Sequence, residues 1–230
     1  MVMIEALRKV IKRMHCPLEV MLVCVRWYAA CPLSLRHIEE MMAERGVVVD
    51  HATVHRWSIK ILPVLAAAFR PQKRPVGLSW RMDETYVKVG GQWKYLCRAV
   101  DRTGATIDFL LRAQRGLAAA LLRARHRTAR RAGDDHQRQE RCQQAAIEAM
   151  RADSGADIGL RQSKYLNNIV EQDHRAIKRI ARPMLGFKSF RCASSLLAGI
   201  ETMHMIKKGQ LDRPKGQAST AASQYYSLAF

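Results

Sequence analysis

The chain has 230 residues, and 48% of them are hydrophobic, so it can bury one substantial core and a small additional domain and is not a disordered tail. Lys and Arg number 39 against 20 Asp and Glu, which gives a formal net charge of +19 at pH 7. This excess predicts a polyanionic partner, and because no run of about 18 apolar residues is present, the expected partner is nucleic acid and not a membrane.

Two helices are predicted near the N-terminus, after a basic segment, residues 2–14, that could itself form a short helix. The first spans Leu18–Ala30, where apolar residues recur at helical spacing. The second begins after Ser34, a residue type that caps helix N-termini, and ends with Gly46 in the C′ position. Local sequence therefore marks both ends of the second helix.

A third helix is predicted over residues 51–60, capped by Asp50, with a polar face that carries Arg56 and Lys60. Three short helices with a glycine turn between the second and third are the layout of a helix-turn-helix, whose last helix enters the major groove. Any small three-helix domain gives the same pattern. The strong positive charge favours DNA binding, with Arg56 and Lys60 as the expected contacts to bases or phosphates.

A linker and then three antiparallel strands are predicted next. Residues 69–77 are rich in Pro and cationic side chains, which is typical of a linker. The segments Trp80–Val89 and Gln92–Asp101 flank a Gly-Gly pair, which predicts a hairpin, and a third strand follows at residues 105–111. The second domain is therefore expected to open with a β-meander.

The rest of the chain is predicted to be mostly helical. A helix starts near Gly116, and further elements are a helix at 145–153, a strand at 156–161, a helix at 167–182 ended by Pro183, a helix at 190–211 and a frayed tail at 212–223. Three strands followed by a helix, a strand and more helices predict an α+β fold, with an RNase H-like mixed sheet flanked by helices.

Two carboxylates are candidate metal ligands. Asp83 lies inside a predicted strand, where Asp is uncommon; it is either an edge-strand residue facing solvent or a ligand on a rigid strand. Glu171, His174 and Lys178 share one face of a predicted helix, which is either a solvated face or a surface that holds metal and grips phosphate. Oxygen ligands suit Mg²⁺, and a pair of such ions supports phosphoryl transfer.

Long motifs carry a family resemblance. Two motifs lie on the predicted hairpin: Trp-Arg-Met-Asp-Glu-Thr-Tyr-Val-Lys-Val around Asp83 and Trp-Lys-Tyr-Leu-Cys-Arg-Ala-Val-Asp ending at Asp101. Two lie later in the chain: the segment from Lys164 to Arg179 and Leu-Gly-Phe-Lys-Ser from Leu185. The last is the helix-turn-helix sequence of residues 41–57. Together they cover nearly the whole chain. The sequence resembles the bacterial insertion-sequence transposases of the IS-six group.

This resemblance implies an Asp-Asp-Glu triad on an integrase-like core that uses Mg²⁺ or Mn²⁺ to cut and join double-stranded DNA at terminal inverted repeats. It makes Asp83 the first and Glu171 the third triad residue, and it makes Lys178 and the adjacent Arg179 contacts to DNA. Asp101 and Asp108 match no triad position and are interpreted as structural. A homodimer is expected, because two element ends must be held together.

The expected domains are a helix-turn-helix domain at 1–68, a linker at 69–78, a catalytic domain at 79–211 and a tail at 212–230. No CxxC pair is present, which is typical of reduced thiols, and the N-terminus lacks an apolar segment followed by a cleavage site. We therefore expect a cytoplasmic protein that associates with the bacterial nucleoid.

The second triad Asp is missing where the fold needs it. Residues 121–144 hold seven Arg and no Lys, Val, Ile, Phe or Tyr. The family reads approximately Glu-Thr-Ile-Thr-Ile-Asp-Lys-Ser-Gly-Ala-Asn here, and the codons permitted for residues 133–144, read one nucleotide later, allow nearly that motif, with its Asp arising at Arg138 and Gln139. We therefore hypothesise a frameshifted segment. Asp134 and Asp135 lie nearby as possible substitutes.

Two functions follow from these predictions. The first is an active metal-dependent transposase. The second is a catalytically defective remnant that still binds DNA but lacks the second triad Asp. The feature that distinguishes them is a third carboxylate between Asp83 and Glu171 in the chain.

Overall fold

The computed structural model describes residues 7, 9–12, 14, 16–77, 79–113, 135–137, 160–162, 168–212 and 220–229. Its contacts divide the chain into two compact units. The first unit joins Met1–Arg74 to Ile177–Phe230, and the second is Pro75–Ala176. Each unit is described by itself below.

The described elements are six helices and five strands. The helices are α1 Leu18–Ala30, α2 Leu35–Ala43, α3 His51–Phe69, α4 Asn168–Ala181, α5 Phe190–Lys207 and α6 Ala221–Tyr226. The strands are β1 Trp80–Val89, β2 Gln92–Asp101, β3 Thr106–Arg112, β4 Asp135–Gln137 and β5 Leu160–Gln162. Short 3₁₀ turns at Arg70–Gln72 and Arg182–Met184 follow α3 and α4.

The predicted caps of the N-terminal helices are confirmed. Ser34 Oγ accepts a hydrogen bond from His37 N at 3.2 Å at the start of α2. At its end, Gly46 has a φ of +70°, and Val47 N donates to Met42 O at 3.0 Å, which is the Schellman arrangement with glycine at C′. The Asp50 carboxylate caps α3 by accepting from Thr53 N, a bond that also lowers its pKa.

Helix α3 is longer than predicted. It continues beyond residue 60 to Phe69 and contains Pro63, although proline removes a hydrogen bond inside a helix. The added turns bury Leu62, Leu65 and Phe69 almost completely. Burying each such side chain contributes about 1.5–3 kcal/mol, which offsets the cost of about 3 kcal/mol for the proline.

Helix α5 packs closely against α3 in the first unit. A Cβ added at Gly199 would lie only 2.5 Å from Leu62 Cδ1, so the absent side chain sets the approach of the two helices. Five apolar residues of this helix are buried: Leu196, Leu197, Ile200, Met203 and Ile206. The helix ends at Lys207, earlier than the predicted residue 211.

The expectation of a frayed tail at 212–223 is wrong for residues 220–223, where a helix begins that continues to Tyr226. Thr220 caps the short helix α6, and Tyr225 and Leu228 are buried. Arg26 Nε on α1 donates to Tyr226 Oη at 3.0 Å. The apolar residues near the C-terminus therefore pack on the first unit, a tertiary contact that local composition did not reveal.

The segment predicted as a linker is partly held by backbone hydrogen bonds. Arg74 N donates to Gln210 O at 2.8 Å, and Lys73 forms a β-bridge with Leu211. The predicted domain ranges remain a prediction. The compact units differ from them by placing the chain after Ile177 with the N-terminal helices, because α5 packs on α3.

The second unit is built on a five-stranded mixed sheet with the order β3-β2-β1-β4-β5. Strands β1, β2 and β3 are antiparallel neighbours, whereas β4 and β5 run parallel to β1. The predicted hairpin is confirmed, with Gly90 and Gly91 at φ values of 57° and 78° in its turn. The predicted α+β class with a mixed sheet is confirmed.

Several predictions lie outside the described residues. They are the helix near Gly116, the helix at 145–153 and the segment 121–144 apart from the three residues of β4. The predicted strand at 156–161 overlaps β5 at its end. Within the described part of the chain, no helix is both long and apolar enough to cross a membrane.

Candidate functional site

Asp83 lies on the central strand of the sheet. Strand β1 pairs with β2 on one side and with β4 on the other, and only 12% of the Asp83 side chain is exposed. A solvent-facing Asp on an edge strand is therefore excluded. A carboxylate on an inner strand is fixed in place by its backbone, which is what a metal ligand or catalytic group requires.

Helix α4 contacts Asp83 through His174. His174 Nε2 on this helix is 3.8 Å from Asp83 Oδ2, and the His174 side chain is only 6% exposed. Glu171 is half-buried and stands one turn earlier on the same helix face as His174. A fully solvated face is excluded at His174, so the structure brings the helix face that carries Glu171 to the strand that carries Asp83.

A buried ion pair, which the sequence analysis did not identify, connects the sheet to the same helix. Arg98 on β2 is the cross-strand partner of Asp83 and is completely buried, and its Nη2 lies 3.1 Å from Asp173 Oδ2 on α4. Arg98 interrupts a run of buried β2 residues, and a buried cation requires an acidic partner. An Arg inside a buried strand is therefore the sequence feature that could have predicted this ion pair.

The other face of the hairpin carries a thiol that is not reactive. Cys97 Sγ donates to Glu84 Oε1 at 3.2 Å. Burial, and then the charge of Glu84, raise the pKa of the Cys97 thiol far above its ordinary value. A nucleophilic cysteine needs a lowered pKa, so Cys97 is a structural residue. The five described cysteines, including Cys97, are all free thiols.

Asp101 organises the turn between β2 and β3, as its predicted structural role requires. Its carboxylate accepts hydrogen bonds from Gly77 N, Thr103 N and Ala105 N, each at 2.9 Å. Burial alone would raise the pKa of Asp101, but the hydrogen bonds from Thr103, Gly77 and Ala105 together lower it. The Asp101 carboxylate therefore stabilises the turn through these hydrogen bonds.

The described residues of β4 end one register position before the level of Asp83. Asp135 pairs with Trp80 and Gln137 with Met82, so Asp135 lies three residues before Asp83 in the register. Three residues of strand correspond to about 10 Å. This inner strand reads Asp-His-Gln, whereas an inner strand is normally rich in Val, Ile and Leu.

The candidate metal ligands in the described ranges are two carboxylates. Asp83 and Glu171 supply carboxylate oxygens, the ligands that Mg²⁺ and Mn²⁺ prefer. Among the described residues, no group of three or more His, Cys, Asp or Glu side chains is arranged to hold a metal. The assignment of Asp83 and Glu171 as ligands therefore stays a prediction.

The four predicted DNA contacts are exposed. Arg56 and Lys60 lie on the outer face of α3, where Arg56 Nη2 donates to Thr53 Oγ1 at 2.6 Å. Lys178 and Arg179 lie at the end of α4. Exposed cations on helices can reach phosphate groups, so their positions are compatible with the predicted role.

Comparisons with known proteins agree with the motifs. A family model described as a DDE domain matches residues 77–210. The transposase for insertion sequence-like element IS431mec of Staphylococcus aureus is 35% identical over 197 residues, which cover 83% of this chain and 85% of the relative. The transposase for insertion sequence element IS257 in transposon Tn4003 of Staphylococcus aureus is 34% identical with the same coverage.

Among solved structures, the catalytic core domain of BIV integrase aligns with a TM-score of 0.43 and 19% identity, covering 65% of this chain and 94% of that one. The family model matches more than half of the chain, and the curated relatives are similar over most of their length. The chain therefore belongs to the DDE transposases of bacterial insertion sequences, in the IS-six group, which are polynucleotidyl transferases.

Proposed function

We propose that this transposase binds the terminal inverted repeats of its insertion sequence through α3 and catalyses metal-dependent cleavage and transfer of DNA strands. The observation that carries the proposal is the 3.8 Å approach of His174 Nε2 to Asp83 Oδ2. It brings the helix face bearing Glu171 to the inner strand bearing Asp83. Asp83 and Glu171 are the residues that would hold Mg²⁺ or Mn²⁺.

Each residue has a distinct task in this proposal. A divalent ion held by Asp83 and Glu171 would act as a Lewis acid and stabilise the charge that develops on a phosphoryl oxygen. Asp83 supplies a carboxylate fixed by β1, and the Arg98–Asp173 pair keeps α4 in place against β2 so that Glu171 stays within reach. Lys178 and Arg179 neutralise DNA phosphates.

A strand-transfer assay on inverted-repeat DNA in Mg²⁺ or Mn²⁺ tests this function. Asp83→Asn and Glu171→Gln should each abolish product while leaving DNA affinity unchanged, because these carboxylates act on the reaction and not on binding. Lys88→Gln, which alters an exposed residue of the same strand, is the matched control and should retain activity. If wild type is active, carboxylate variants that retain the same activity would refute the proposed site.

The second candidate function is the DNA-binding remnant, and the composition and register of β4 favour it. The family places the second triad Asp on this strand, and here the described carboxylate, Asp135, aligns with Trp80 and not with Asp83. Such a chain binds inverted repeats without cutting them. Normal wild-type cleavage would exclude the remnant, and a coding sequence lacking the shifted Asp-Lys-Ser-Gly-Ala-Asn reading would exclude the frameshift.

The proposal includes a homodimer that works on DNA at the bacterial nucleoid. Two ends of an element must be joined in one reaction, so two active sites are needed at the same time. Light scattering with and without inverted-repeat DNA tests this part, and a complex with one protein chain per pair of ends would contradict it.

A further inference from the structure

An exposed basic loop follows α4 in the first unit. We use this name for residues 182–191, which run from the 3₁₀ turn at Arg182 to the first turn of α5. From residue 177 to residue 191 the chain has five cations and no Asp or Glu. The side chains of Arg182, Lys188 and Arg191 are all exposed.

The loop also presents an apolar side chain to solvent. Leu185 is 92% exposed, and its φ of 54° lies in the left-handed region that a branched side chain rarely adopts. Its neighbours are firmly placed, since Phe187 is buried and Ser189 Oγ accepts from Cys192 N at 3.2 Å. The backbone therefore adopts an uncommon, unfavourable conformation at an exposed apolar residue that lies among positive charges.

The exposed basic loop lies beside the N-terminal part of α3. Helices α3 and α5 touch at Leu62 and Gly199. Toward their N-termini, the positive charge of Lys188 acts on His55, whose pKa is lowered by burial and then by that charge. Arg56 directly follows His55 on α3. The loop and the predicted recognition helix are thus adjacent parts of one compact unit.

From these observations we infer that the exposed basic loop is a second DNA-contact element, in which Arg182, Lys188 and Arg191 hold phosphates and Leu185 wedges against a base step. This inference rests on the proposed DNA-binding function. Apolar wedges of this kind insert where base pairs are easily unstacked, while flanking cations hold the backbone. The same loop of a second copy is a poor occupant, because it would place like charges opposite like charges.

The two parts of the contact make different predictions. Fluorescence anisotropy would compare a labelled duplex of about 30 base pairs with the same duplex carrying one central mismatch, across a range of salt concentrations. Wild type should bind the mismatched duplex about tenfold more tightly than the matched one, because Leu185 inserts where base pairs are easily unstacked, and equal binding of both would overturn the inference. Lys188→Gln with Arg191→Gln should reduce the salt slope of binding by about two while retaining this preference. Leu185→Gly should retain the slope and weaken binding to the mismatched duplex by about tenfold, removing the preference.

Matched variants separate contact from folding. Glycine adopts a positive φ without strain, so Leu185→Gly should keep the Tm within about 2 °C of wild type while DNA binding changes. Lys88→Gln and Trp93→Ala remove an exposed cation and an exposed apolar side chain from the hairpin of the second unit, and both should bind like wild type.

The outcomes are distinct. If wild type binds neither duplex, the proposed DNA-binding function fails and the inference falls with it. If wild type binds and the loop variants match it, or if the hairpin controls lose as much affinity as the loop variants, the inference alone is overturned. Unchanged DNA binding by loop variants that no longer bind phosphatidylserine vesicles would assign the loop to a lipid surface instead and would also overturn it.

Discussion

Replacing Arg98 by Met should destabilise the second unit strongly, because it leaves the Asp173 carboxylate buried without its cation. The two side chains are 0% and 8% exposed and approach to 3.1 Å, so solvent screens their interaction little. Breaking one partner of such a pair costs about 3–5 kcal/mol. With a urea m value of about 2 kcal/mol per molar, the unfolding midpoint should fall by roughly 1.5–2.5 M.

A double-mutant cycle, measured by urea unfolding, distinguishes the ion pair from loss of packing. Asp173→Leu alone should cost a similar amount, whereas Arg98→Met with Asp173→Leu should recover most of the loss, because neither charge is then buried alone. Lys88→Met, at an exposed position of β1, should change stability by less than about 0.5 kcal/mol. A double variant that loses the sum of both single effects would refute the reasoning.

Three further predictions concern packing, DNA affinity and pH. Gly199→Ala should lower the free energy of unfolding by about 1–3 kcal/mol, because the added Cβ would lie 2.5 Å from the Leu62 side chain. Ser194→Ala, at an exposed position of the same helix, should be nearly neutral. Equal stabilities of the two variants in urea would contradict this contact. Arg56→Ala with Lys60→Ala should weaken inverted-repeat binding and reduce its salt slope by about two, and an unchanged slope would remove α3 from the interface. The pKa of Asp101 is lowered in the folded state, so its ionised carboxylate stabilises the fold at pH values above the ordinary pKa of 3.8. This contribution is lost as the pH falls through the pKa of the folded state. Asp101→Asn should therefore be less stable than wild type at pH 7, and the difference should shrink below pH 3.8; a constant difference would contradict the titration.

Local signals predicted the helix caps and the hairpin well. Ser34, Gly46 and Asp50 act through hydrogen bonds to residues within a few positions, and the Gly90-Gly91 turn needs only its own backbone conformation. The same locality explains the accurate bounds of α1 and the hairpin strands. Prediction from sequence succeeds where residues within one or two turns of each other determine the local conformation.

Features that depend on tertiary packing were missed. Helix α3 continues through Pro63 because of apolar contacts with other helices, and α6 is stabilised by contacts with a helix nearly 200 residues earlier in the chain. The partner of Arg98 is 75 positions away, since 173 − 98 = 75. Long-range pairs of this kind leave only a weak trace in one sequence, such as a cation inside an apolar strand.

The candidate site was predictable in part. Asp83 could be selected because Asp is unusual in a strand, and the structure explains the choice by placing it on an inner strand. The contact of His174 with Asp83 depends on how α4 meets the sheet, which spacing alone does not define. The register of Asp135 with Trp80 likewise follows from strand pairing.

The most direct measurement of the central claim is a crystal structure of the full chain grown with Mn²⁺, using the anomalous signal to locate the ion. The account predicts one Mn²⁺ bound by both the Asp83 and the Glu171 carboxylates, at about 2.0–2.3 Å from each. Carboxyl groups more than about 10 Å apart, or Mn²⁺ bound without either residue, would contradict the assignment of this site as the metal centre of the transposase.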